Sequence, residues 1–159
     1  MGRRHMLVEL EPSAEPNVGF PVRHPTAGDA EALAALMLDA YAGTVDADGS
    51  ETLDDARAEV NGYFSGASGE PMIDHSFVAL DGDAPISALL VCRHEGMPLI
   101  AYAMTAADRK RRGLATALTV RSLGSLHAAG ERHAHLWVTP GNESAERIYE
   151  GLGFRDGPG

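Results

Sequence analysis

Residues 108–118 read DRKRRGLATAL: four consecutive basic side chains, a glycine, and then an alanine-rich run with helical character. The chain that carries them is acidic, with 13 Lys and Arg residues against 23 Asp and Glu and a formal net charge of -10. An acidic protein that gathers four cations at one point, directly before a helix, has a local use for them. Upstream lies the apolar run LIAYAMTA (residues 99–106), so the basic stretch sits at a strand-to-helix junction. A helix start presents unpaired N–H groups and the positive end of the helix dipole, which together attract phosphate. Gly113 lets backbone approach a ligand closely, and Arg109, Lys110, Arg111 and Arg112 offer charge-assisted hydrogen bonds. A pyrophosphate suits such a seat. No GxxxxGK[ST] and no GxGxxG occurs, which excludes the Walker loop and the dinucleotide fingerprint and leaves a diphosphate carrier held in another way.

Outward from this junction the chain alternates strand and helix signals. FPVRHPT, starting at Phe20, reads as a strand, and Thr26 with Asp29 forms a capping-box variant before a helix whose Leu33, Ala34, Met37, Ala40 and Tyr41 share one face. A Gly/Asp-rich loop then leads to a second capped start, Thr52 with Asp55, and a helix burying Leu53, Ala56, Val60 and Phe64. HSFVAL, PISALLVC and LIAYAM, separated by turns at DGD and EGMP, predict an antiparallel meander. After the basic run come a helix from about Gly113 to Ala129, the strand HAHLWV, and a last helix capped by Asn142 with Ala145, Ile148, Tyr149 and Leu152 on its apolar face. The order β-α-α-β-β-β-α-β-α predicts an α/β fold with a mixed central sheet, the two strands flanking the basic-run helix being parallel neighbours.

Length and composition fit one domain. The 159 residues are 44% hydrophobic and 23% charged, ordinary globular values. The single cysteine, Cys92, lies in an apolar run, as a buried and inert thiol would. No apolar stretch reaches the roughly 18 residues that span a bilayer. The sequence therefore predicts a cytoplasmic protein without membrane or nucleic-acid partners, the acidic balance opposing the latter. Residues 1–19, with a strand-like MLVEL and a Pro-broken connector, read as an N-terminal extension that is partly vector-derived, and residues 20–159 as the domain. No metal-ligand spacing appears.

Two motifs in order resemble the Gcn5-related N-acetyltransferases. KRRGLA (Lys110–Ala115) is similar to that family's Gln/Arg-x-x-Gly-x-Gly/Ala signature, with Lys110 where Arg or Gln is usual. NESAERIYEGLGF (Asn142–Phe154) is similar to its second marker, an Asn after the next strand followed by a helix ending in Tyr-x-x-x-Gly-Phe. The resemblance covers residues 20 to 156. It implies acetyl-CoA as co-substrate and no metal, with the pantetheine arm between the strand around Met104 and Thr105 and the strand around Leu136–Val138. It implies a diphosphate seat at Arg109, Lys110, Arg111, Arg112, Gly113, Leu114, Ala115 and Thr116, a cofactor contact at Asn142, and Tyr149 as the acid that protonates the departing thiolate.

The reaction implied is direct attack of an amine, of a small molecule or a protein, on the thioester; the alternative is a non-catalytic acyl-CoA-binding module or one lobe of a tandem protein. The resemblance leaves the base open among His94, Glu95, His133, His135 and a water chain. The chain stops at RDGPG, where the family continues with a hairpin over the acceptor site. Either the sequence is cut short of that hairpin, or another element substitutes, with MLVEL or a second subunit in a homodimer covering the exposed sheet edge.

Overall fold

A computed structural model describes residues 2–158. Its elements are β1 (Arg4–Glu9), β2 (Val22–Arg23), α1 (Ala30–Tyr41), α2 (Leu53–Ser65), β3 (Glu70–Pro71), β4 (Phe77–Asp81), β5 (Ala84–His94), β6 (Met97–Thr105), α3 (Leu114–Ala128), β7 (His133–Val138), α4 (Glu143–Gly151) and β8 (Arg155–Asp156). The sheet runs β2-β4-β5-β6-β7-β1-β8, with β3 against β5. The meander β4-β5-β6 is antiparallel, and β6 meets β7 in parallel, as a helical crossover requires.

Local signals act where the sequence places them. Thr52 and Asp55 form a reciprocal capping box at the start of α2, and Asn142 Oδ1 accepts from the Ala145 N–H at 3.3 Å at the start of α4. Thr26 and Asp29 also close a capping box, but it opens a single 3-10 turn (Ala27–Asp29) that leads into α1. The strand expected over FPVRHPT shortens to Val22–Arg23, because His24 and Pro25 turn the chain into that cap.

The sheet is covered on both faces. Met6, Leu89, Leu118, Leu126, Leu136 and Phe154 belong to the core on the α3 and α4 side; Leu33, Met37, Val60, Val78, Leu90 and Cys92 belong to the core under α1 and α2. Past the end of β4 the backbone of Val91 has no strand partner on that side. Its N–H donates to Ser76 Oγ at 2.8 Å, and its carbonyl accepts from the Met72 N–H at 2.8 Å and the Tyr63 hydroxyl at 2.8 Å. A buried polar node thereby ties α2 to β5.

Residues 4–9, set apart in the sequence reading as an extension, lie inside the sheet. β1 pairs antiparallel with the whole of β7, from Arg4↔Val138 to Glu9↔His133, and its other edge takes β8 at Met6↔Asp156 and Leu7↔Arg155. Met6 is fully buried and Val8 nearly so. Truncating a buried methionine removes packing and leaves a cavity, a loss of about 3 kcal/mol. Met6→Ala should therefore lower the melting temperature by roughly 6–12 °C for a domain of this size. A melting temperature within 1 °C of the wild type would show that β1 is no part of the cooperative core.

Candidate functional site

The strands β6 and β7 form only one bridge, Leu99↔His135, and then part. Their facing backbone groups beyond that point have no partner strand. Two residues further along β6 the register against β5 shifts: Leu90 pairs with Tyr102 and Val91 with Ile100, so Ala101 is left without a partner. Such a bulge turns the following side chains. Ala101 and Tyr102 consequently both pack toward the α1 and α2 face, while Ile100 and Ala103 face α3.

The parting opens into a cleft of about 780 Å³ bounded by α1, α2, the loop between them, β6, β7 and α4. Tyr149 of α4 lines it and packs edge-on against Phe154 at 5.6 Å between centroids. Burial, with a smaller contribution from the Asp46 carboxylate, pushes the Tyr149 hydroxyl up to about 12, so it keeps its proton throughout the neutral range. Tyr41 donates to the Ala103 carbonyl at 3.2 Å and fastens α1 beside the opening. Burial raises its pKa well above the ordinary phenol value. Across the mouth, the Thr139 hydroxyl donates to Asp46 Oδ1 at 2.5 Å and the Asn142 amide to Asp46 Oδ2 at 3.4 Å. The α1–α2 loop is thus tied to the far side of the cleft.

At the C-terminal end of β6 the basic run turns into α3. Gly113 caps the helix at φ 79°, and an added Cβ there would meet nothing within 4 Å. Open space of this kind above a helix start, with no side chain capping the first turn, leaves the N–H groups of Leu114, Ala115 and Thr116 facing outward. The four basic side chains divide. Arg109 pairs with Asp81 at 2.6 Å and lies over the Phe20 ring at 5.7 Å. Lys110 donates to the Ala40 carbonyl at 2.5 Å, at the C-terminal end of α1. Arg111 and Arg112 are exposed and make neither an ion pair nor a side-chain hydrogen bond among the described residues. Arg111 takes φ 66°, an uncommon backbone for arginine, so the turn itself is strained into shape.

Other sequence candidates are placed as follows. Met104 is buried under α1 and its carbonyl accepts from Ser87 Oγ at 3.0 Å; Thr105 Oγ1 lies 2.9 Å from the same hydroxyl. Both stand at the end of β6 where it has left β7, and their side chains serve the core and the β5 contact. Asn142 gives its carbonyl to the α4 cap and its amide to Asp46. None of His94, Glu95, His133 and His135 lines the cleft. His135 instead is buried against His5, with His5 Nε2 and His135 Nδ1 2.9 Å apart, and against His94 and Trp137. The sequence reading missed Glu59, Tyr102, Asp46 and Arg3, all of which line the cleft. Tyr102 donates a short hydrogen bond to Glu59 across 43 residues of sequence.

A parallel pair that meets once and parts, followed by an uncapped helix start, is the sheet arrangement shared with solved N-acetyltransferase structures. Residues 85–157 match the family model described as FR47-like protein. The match spans a little under half of the chain, and the chain as a whole shares the fold of solved N-acetyltransferase structures. A GCN5-related N-acetyltransferase of Sphaerobacter thermophilus superposes with a TM-score of 0.74 at 18% identity, covering 97% of this chain and 48% of that one. The PaiA N-acetyltransferase of Thermoplasma acidophilum, in complex with coenzyme A, gives 0.67 at 13% identity over 86% and 89% of the two chains. In sequence, the chain is 40% identical over 87 residues to N-alpha-acetyltransferase 30 of Schizosaccharomyces pombe, an alignment covering 51% of this chain and 57% of that protein. It therefore spans little more than half of that curated relative.

Burial sets a pH dependence. It holds His75 and His135 below the ordinary imidazole pKa of 6.5, with His5 and His94 adding to the effect at His135. The unfolded chain binds protons at these positions first, so their contribution to stability is complete above about pH 6.5 and declines as pH falls through that value toward the lower folded ones. The melting temperature should drop between pH 7.5 and 5.5, and His135→Asn should flatten that slope. An unchanged slope would remove His135 as a source.

Proposed function

We propose that the chain is an N-acetyltransferase that moves an acetyl group from acetyl-CoA to a primary amine of a peptide or small molecule by direct attack. The observation that carries this reading is the single β6–β7 bridge, with a cleft beyond it that Tyr149 lines, and with β6 running on toward the uncapped start of α3. Acetyl-CoA, when bound, supplies the acetyl group as a thioester.

The residues present suit that molecule. The first-turn N–H groups of Leu114, Ala115 and Thr116, with Arg111 and Arg112, hold its diphosphate, and the space above Gly113 admits the phosphate oxygens. Arg109 and Lys110, held by Asp81 and by the end of α1, fix the shape of the loop and leave recognition to their neighbours. The unpaired backbone groups of β6 and β7 receive an extended amide-bearing arm as they would a strand. Tyr149, protonated and without a hydrogen-bond partner of its own, donates to the departing sulfur. The named activity of the yeast relative supports a peptide α-amine among the acceptors. The non-catalytic alternative gives Tyr149 no task in the cleft.

Acetyl-CoA should be consumed in the presence of one or more members of a panel of primary amines. Tyr149→Phe should lower kcat on the order of a hundredfold, within the range of a single general acid. Its affinity for acetyl-CoA should stay within twofold. Turnover equal to wild type in Tyr149→Phe would remove the donor role, and absence of turnover with every amine would favour the binding module.

A further inference from the structure

We propose that Glu59, held by Tyr102, is the carboxylate that receives the acceptor's ammonium group and takes its first proton, so that the acceptor enters this cleft as a cation. The inference rests on the acetyl-transfer reading above and adds to it the base that the sequence left open.

Four carboxylates line the cleft: Asp46, Glu51, Asp55 and Glu59. Three are taken up by the protein's own donors. Asp46 accepts from Thr139 and Asn142, Glu51 from the N–H groups of Asp48 and Gly49, and Asp55 from the Thr52 N–H in the cap of α2. The acidity of the α1–α2 loop is therefore loop and cap chemistry. Glu59 differs, since its hydrogen bond among the described residues is to another cleft side chain, the Tyr102 hydroxyl, through Oε2 alone. Its Oε1 remains for a ligand.

No cationic side chain pairs with that carboxylate among the described residues, and Tyr102 holds it in place. Arg57, two residues away on α2, is tied to Glu31 and Asp54 and does not reach it. Arg3, the one cationic side chain lining the cleft, makes no ion pair among the described residues. Burial, and then the neighbouring Glu59, raise the Tyr102 hydroxyl well above its ordinary value, so it stays a donor and orients the carboxylate. The bulge at Ala101 is what aims Tyr102 toward α2. A second, independent feature shares the cleft: Tyr149 lines it, is 9% exposed, and its hydroxyl makes no hydrogen bond among the described residues. One group suits an ammonium entering the cleft and the other a developing thiolate.

The transfer balances. The ammonium gives one proton to Glu59, and the freed nitrogen lone pair forms the C–N bond to the acetyl carbon while the C–S bond breaks. Tyr149 gives its proton to the departing sulfur, and the second proton lost by the nitrogen returns Tyr149 to the neutral phenol. Glu59 is exposed and returns its proton to solvent.

The test takes the best acceptor from a panel of a free α-amine peptide, a lysine side-chain amine and spermidine. Wild type, Glu59→Gln, Tyr102→Phe and the double variant are compared by steady-state kinetics. Calorimetry measures acetyl-CoA binding to each protein, and binding of the amine and of its acetylated product to each protein–CoA complex. Glu59→Gln should lower kcat/KM for the amine on the order of a hundredfold, and weaken amine binding about tenfold. Acetyl-CoA and acetylated-product affinities should stay within twofold, which a general loss of structure would not allow. Tyr102→Phe should cost less, and the double variant no more than Glu59→Gln, as expected for a residue that acts through another. Glu59→Gln with amine kcat/KM and amine binding within twofold of wild type would overturn the assignment. A wild type that binds acetyl-CoA yet acetylates nothing would instead overturn the transfer reading, and the inference with it.

Discussion

Two parallel strands that meet once and then part are the constraint on which the rest of this structure depends. Beyond Leu99↔His135, β6 and β7 present backbone donors and acceptors to each other across a gap too wide for a ladder. Polar backbone groups left unpaired are costly unless water or a ligand reaches them, so the opening persists only because its surroundings over-determine it. On one side β5 and the bulge at Ala101 hold β6; on the other, β1 pairs along the full length of β7. The crossover helix α3, which joins them, packs on the β4, β5 and β6 face of the sheet and begins after the end of β6. Cleft, helix start and Tyr149 are arranged around one interruption of the sheet.

The basic run shows how a charged motif divides its labour. A cation at a helix C-terminus is favourable, and Lys110 takes that place at the end of α1 through the Ala40 carbonyl. Arg109 braces the loop against Asp81 and Phe20. What faces outward is backbone N–H and two guanidinium groups, and Gly113 leaves the space above the first turn free. The Lys110 side chain reaches α1, while Arg111 and Arg112 remain exposed.

Much of this was legible in the sequence, and what was not has identifiable causes. KRRGLA and NESAERIYEGLGF specify local geometry, a helix start and a helix end, within short windows, so the junction at Gly113 and the position of Tyr149 on α4 can be read directly. The alternation in MLVEL signals a strand, but periodicity says nothing of which strand it joins; its pairing with β7 is a contact across more than 120 residues. Glu59 and Tyr102 are harder still. Their meeting depends on a one-residue bulge that no pattern in LIAYAMTA announces, and each taken singly reads as an exposed helix acid and a strand aromatic. The carboxylates Glu51 and Asp55, by contrast, serve a turn and a helix cap. Of the histidines offered as bases, His135 lies where burial lowers its pKa, against His5 and His94 in a cluster that packs β1 against β7.

The central claim is that the gap and the start of α3 together hold an acyl-CoA. The most direct measurement is a thermal-shift titration with acetyl-CoA on the wild type and on Gly113→Glu, whose side chain would fill the space above the helix start at a strained φ of 79°. At about a hundred times its dissociation constant a ligand stabilises by roughly 2.7 kcal/mol, or several degrees in a domain of this size. The account predicts a saturable rise of that order in the wild type and none in Gly113→Glu. A wild type that does not shift, or a variant that shifts equally, would contradict it.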